Sequence, residues 1–295
     1  MIGELGGLAC APLWAISSIL LKSQTGKIDA LRINVIRGIS ASIFLIAIVP
    51  IAGKTDQLMN LSLSGVFYLF TSVVIGLALG DTLYIKGMGI IGVARALPIS
   101  ITYPIFVLPF SVTLAGESLS FLTFVGVLIT VSGLYVITAP KRGAEKASAE
   151  TRRQYWWGVS LLLIASLCWA IGTTLLDFGL KDLDLIVASA IRMPFMTLVL
   201  LTMIFLRKNT AKTWYHGARS LSILALGGIL GIGVGGLFFM LGVKYAGTAR
   251  TAILSSTAPL FGVPLSMLIL RERITVKIVL GTILCVIGIW LVIPS

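Results

Sequence analysis

Residues 103–137 read YPIFVLPFSVTLAGESLSFLTFVGVLITVSGLYVI, and residues 258–293 read APLFGVPLSMLILRERITVKIVLGTILCVIGIWLVI. The two stretches follow one plan. In each, two prolines stand five residues apart, a glutamate marks a turn, and two glycines seven apart sit in a second apolar run. Barrel strands would write alternating segments of about ten residues, whereas these runs stay apolar toward the ~20 residues a helix needs to cross ~30 Å of hydrocarbon. A duplicated set of membrane helices is the reading, and it extends outward from here.

Shifting the sequence against itself by 155 residues aligns 1–140 with 156–295 and matches about one position in five. The matches include rare residue types: Trp14/Trp169, Asp29/Asp184, Arg37/Arg192, Arg95/Arg250, Pro104/Pro259, Pro109/Pro264 and Glu117/Glu272. Spans are expected near 3–22, 32–52, 63–84, 93–115, 119–139, 157–176, 184–206, 220–242, 249–270 and 274–293. The polar stretch 141–156, KRGAEKASAETRRQYW, separates a first five-helix repeat at 1–140 from a second at 157–295. Because five is odd, the second copy starts on the opposite side of the membrane. The fold class expected is therefore an all-α membrane protein of ten transmembrane helices, two inverted five-helix repeats around a central cavity.

Composition agrees with this and excludes other classes. The 295 residues are 57% hydrophobic and 12% charged, far more apolar than a soluble core requires. A net charge of +12 would suit nucleic acid, but the cations are scattered at span ends, so no nucleic-acid partner is expected. Of 23 Lys and Arg, 17 fall in odd-numbered connections, which the positive-inside rule assigns to the cytoplasm, leaving both termini outside. The first span is read as retained, not as a cleaved leader, because residues 1–10 carry no Lys or Arg. Cys10, Cys168 and Cys285 lack metal-ligand spacing, and His216 lies in a basic connection. No GxxxxGK[ST], HExxH or GxSxG motif occurs, so neither cofactor, metal nor catalytic residue is expected, and the chain is not read as an enzyme.

The Trp near the start of each half (LWAIS, CWAIG), the Arg in each second span (INVIRG, ASAIRM) and the repeated closing pattern together resemble the drug/metabolite transporter superfamily. The resemblance is to its ten-span members with two EamA-type repeats, and it covers nearly the whole chain. It implies a helical basket whose cavity is lined by the first, third and fourth helices of each half, and rocking between outward and inward states. Many such proteins carry basic cytoplasmic termini, which this chain lacks.

Within that frame Asp81, in IGLALGDTLYIKG, is the sharpest candidate: a carboxylate in an apolar span binds a cation, an amine or a proton, or else pairs with Lys86 or Arg37. Its repeat mate is Gly236. Arg37 and Arg192 either attract an anionic group or cap carbonyls and snorkel, while Arg95 and Arg250 open the fourth spans. Trp14, Trp169, Tyr84, Phe239 and Tyr103 offer rings to stack on a solute or to pack. Ser100, Ser255, Thr102 and Thr257 precede the proline pairs Pro104/Pro109 and Pro259/Pro264, which should kink the fourth spans. Gly76 with Gly80, and Gly231 with Gly235, are four apart and permit close helix approach or bending. Glu117 and Glu272 should cap the following helix or pair locally, with a gate as the alternative.

The functional expectation is a secondary transporter of small metabolites, amino acids or related solutes, working by alternating access with Asp81 as a route to proton coupling. An exporter of drugs or organic cations is the alternative, and a passive channel or membrane scaffold is the rival from another class. A small-molecule substrate and the lipid bilayer are the expected partners, in a prokaryotic plasma membrane. One chain completes a cavity, so a monomer is expected, with a dimer as the alternative.

Overall fold

The computed structural model describes residues 1–59, 61–115, 121–139, 149–181, 183–206 and 217–291. Among the described residues, fourteen α-helices build ten spans. They are α1 (Ile2–Lys22), α2 (Ala30–Ile51), α3 (Leu63–Ser72), α4 (Asp81–Ile91), α5 (Val93–Ser100), α6 (Tyr103–Ala115), α7 (Phe121–Thr138), α8 (Ala149–Leu180), α9 (Leu185–Phe205), α10 (Ala218–Gly228), α11 (Gly235–Ala246), α12 (Thr248–Ser255), α13 (Ala258–Leu270) and α14 (Val276–Leu291). Among the described residues, nine spans are long and apolar enough to cross a bilayer, and α14 is a shorter apolar helix. The chain is an integral, multi-pass membrane protein.

Two spans overrun their expected bounds by more than four residues. The third runs on to Ile91, and α8 begins at Ala149, so the last residues of the 141–156 stretch are helical. Their charges (Glu150, Arg152, Arg153) are solvated, and the helix projects past the apolar segment that begins near Trp156.

The packing is the same when the halves are exchanged. The first span lies against the eighth and the sixth against the third, the second packs on the seventh, and α7 on α14. The connections give the sense of the two copies. On one side, Lys22 donates to the Gly89 carbonyl at 2.8 Å and Glu272 reaches the start of α5. On the other, Lys54 pairs with Asp184, and Lys244 donates to the Leu183 carbonyl at 2.6 Å. The turn after α1 and its counterpart after α8 thus lie at opposite ends of the bundle, as inverted repeats require.

Both third spans of the halves change pitch at the same place. Val73–Gly80 joins α3 to α4, and Ile229–Val234 joins α10 to α11, as π-helix, and under the 155-residue shift the second segment falls within the first. A widened turn of this kind leaves carbonyls off the regular ladder and recurs at functional sites. The fourth spans do more than kink. They break at residues 101–102 and 256–257, just before Pro104 and Pro259, while Pro109 and Pro264 sit inside α6 and α13. The carbonyl that Pro104 leaves without its helical amide, Ser100 O, accepts from Ser166 Oγ at 2.9 Å, and the Thr102 and Thr257 hydroxyls add to Ile99 O at 2.7 Å and Leu254 O at 2.8 Å, which also take the turn amides. Buried backbone in hydrocarbon must find a partner within the protein, and these side chains supply it.

Candidate functional site

A cavity of about 140 Å3 lies between the halves, bordered by α1, α2, the end of α3, both π segments, α4, α5, α8, α9, α11 and the starts of α6 and α13. Its wall is mostly apolar. Trp14, Tyr84, Tyr103, Trp169 and Phe239 contribute rings, and Asp81, Arg37 and Arg192 contribute charge. Trp14 stacks on Phe239 at 5.1 Å between centroids, and Trp169 on Tyr84 at 5.2 Å, tilted by 41° and 48°. These are the same pair in the two halves. Glycine lets each indole sit close to the facing helix: a Cβ on Gly80 would lie 3.1 Å from Trp169 Cδ1, and one on Gly235 3.1 Å from Trp14 Cδ1. Gly76 and Gly231 border the cavity directly.

The charged groups are buried and unequally partnered. Asp81 opens α4 and is 4% exposed. Arg37 Nη1 lies 2.9 Å from Asp81 Oδ2, and Trp169 Nε1 donates to Asp81 Oδ1 at 2.7 Å. Of the two pairings open to Asp81 on sequence grounds, the structure selects Arg37; Lys86 lies instead over the Trp157 ring. Arg192, on α9, donates from Nη2 to Ser72 Oγ at 3.1 Å and from Nη1 to Met240 Sδ at 3.4 Å, and its Nε has no partner among the described residues. Thioether sulfur is a weak acceptor, so this guanidinium is poorly satisfied.

Sequence reasoning passed over Ser17, Ser72, Ser189 and Met240, all of which line the cavity. Ser17 Oγ donates to the Gly227 carbonyl at 2.8 Å, and Ser72 Oγ to the Gly172 carbonyl at 2.7 Å. Under the repeat these are equivalent residue pairs joined in opposite directions. Serine facing glycine at both matched positions was the signal that could have exposed them.

Several expected residues lie elsewhere. Ser100 lines the cavity, but Ser255, Thr102 and Thr257 are buried in the helix breaks, and Ser255 shares a 2.8 Å hydrogen bond with the Tyr103 hydroxyl. Arg95 sits over the Tyr155 ring at 5.9 Å, and Arg250 lies 3.3 Å from Glu4 at an exposed edge, so neither borders the cavity. Both open a fourth span at its polar end, where long cations reach outward. Glu117 lies outside the described residues.

Glu272 corrects the local reading. Its carboxylate accepts from Val93 N at 2.9 Å and Ala94 N at 2.8 Å, at the start of a helix in the other half. Left-handed Arg271 (φ 54°) turns the chain out of α13, and Gly92 (φ 86°) bares the first amides of α5. A carboxylate over free N–H groups at a helix start is favourable in both hydrogen bonding and dipole.

The comparisons with known proteins agree with this architecture. Over 294 residues the chain is 23% identical to a protein of Archaeoglobus fulgidus described as an uncharacterized transporter, covering 99% of this chain and 98% of that one. A protein of Clostridium kluyveri with the same description is 22% identical over 270 residues, covering 90% and 84%. A solved crystal structure superposes with a TM-score of 0.68 over 98% of this chain and 95% of the other; at 19% identity it speaks for the fold alone. Residues 1–139 and 156–293 each match the EamA-like transporter family, one copy to each half of the basket, and the chain belongs to that family.

Proposed function

We propose that this transporter is a secondary carrier that moves small metabolites, amino acids and related amphipathic solutes, across a prokaryotic plasma membrane by alternating access. One observation carries the reading: the cavity is built from both inverted halves and combines buried charge with paired aromatic rings. The matched π segments and the matched breaks at 101–102 and 256–257 provide equivalent bending points in the two halves, which suits rocking about a central site. Asp81 is the cavity carboxylate through which a proton gradient acts: protonation dissolves its pair with Arg37 and changes the charge of the wall.

Two arginines against one aspartate leave the wall one positive charge in excess, which argues against an exporter of organic cations. One chain supplies the entire cavity, so the working unit is the monomer. Counterflow in proteoliposomes offered a mixed metabolite pool, read by mass spectrometry, tests the carrier. Saturable exchange of a few solutes is expected; passage without saturation would mark a channel, and no exchange of any solute a scaffold.

A further inference from the structure

We propose that the solute is carried as an organic monocarboxylate whose carboxylate is seated on Arg192. The inference rests on the carrier reading above and narrows its substrate class. Arg192 is 6% exposed, and no carboxylate among the described residues pairs with it. Among the described residues its bonds go to the Ser72 hydroxyl and the Met240 sulfur, and Nε is unpartnered, as is that of Arg37. A buried cation so poorly met is costly unless an anion completes it. The guanidinium fork matches a carboxylate with two parallel N–H bonds, and the hydroxyl of Ser189, 3.0 Å from the same Met240 sulfur, stands beside the seat.

The other groups in the wall restrict what the rest of the solute is. Asp81 is already bonded to Arg37 and to Trp169, so a substrate ammonium would meet two guanidinium groups and a carboxylate engaged on both oxygens. A single carboxylate offsets the one positive charge in excess. The remaining wall is aromatic and aliphatic, and a cavity of about 140 Å3 is close to the ~150 Å3 that admits one benzene ring. The solute is therefore a small acid with one ring or a short branched chain, which narrows the metabolites proposed above to acids without an ammonium group.

The experiment measures binding to the purified full chain in detergent, using phenylacetate, 4-methylpentanoate and phenethylamine as probes. At least one carboxylate is expected to bind and the amine not to. Arg192→Gln should weaken the carboxylate by on the order of tenfold or more, with Arg192→Lys in between. Binding of neither carboxylate, amine binding as tight as carboxylate binding, or undiminished binding to Arg192→Gln overturns the assignment. The wild-type comparison needs no variant, so it decides even if Arg192→Gln fails to fold. Saturable counterflow confined to amines or uncharged solutes would keep the carrier and sink the carboxylate seat, whereas absence of all counterflow sinks the carrier itself.

Discussion

Arg37 and Arg192 stand 155 residues apart at the same point of the two halves, and they are 5% and 6% exposed. Their neighbourhoods share tilted aromatic pairs and a π segment, yet Arg37 holds a carboxylate at 2.9 Å and Arg192 holds a serine and a sulfur. The cause is one position in the third span of each half: Asp81 in the first copy, Gly236 in the second. Duplication supplies two equal frames, and a single unmatched side chain makes one frame self-neutralising and leaves the other open to a solute. A symmetric scaffold can rock, while an asymmetric wall can orient what it holds.

The largest effect is expected from breaking the closed side of this comparison. Asp81→Asn strands Arg37 as a second uncompensated buried cation and should destabilise the protein by about 3–5 kcal/mol. Thermal unfolding in detergent reads this, and a melting curve like the wild type's would show that the pair does not hold the bundle together.

Making the halves alike should act next most strongly. A Cβ at Gly236 would meet nothing within 4 Å, so Gly236→Asp can place a carboxylate where the repeat places Asp81. It should pair with Arg192, raise stability by about 1–3 kcal/mol and abolish carboxylate binding. If binding persists beside the new aspartate, the two arginines are not equivalent in the way their sequence positions imply.

The smallest effect tests whether asymmetry extends to the ends of the bundle. Burial pushes the Asp184 carboxyl up, but the Lys54 bond and the backbone N–H groups of Ile186 and Val187 outweigh it and hold the group below its ordinary value. A carboxylate depressed in the fold contributes stability above its unfolded pKa of about 3.9 and loses it as pH falls through the lower folded value. The pair is partly exposed, so the contribution is under about 1 kcal/mol. Melting between pH 6 and pH 3 should therefore fall slightly more for the wild type than for Asp184→Asn; parallel curves would remove Asp184 as a structural anchor.

Much of this was open to reading from the chain. The ten spans, the duplication and the inversion follow from hydropathy, an odd helix count and a repeat of rare residue types, because a bilayer leaves the backbone few alternatives. Trp14, Trp169, Tyr84 and Phe239 were legible as a matched set for the same reason. The proline pairs announced irregular fourth spans, although not that the Ser166 hydroxyl of another span would meet the carbonyl Pro104 frees.

What the linear order could not decide was who meets whom across the bundle. Asp81 had two eligible cations, Glu272 had a helix of its own to cap, and Arg95 stood among the charged candidates beside Arg37; each was assigned only when helices distant in sequence were brought side by side. The physical reason is range. Crossing a membrane depends on runs of neighbouring residues and is written locally, whereas the partner of a buried charge depends on distances of a few ångströms between spans, which only the packed structure sets.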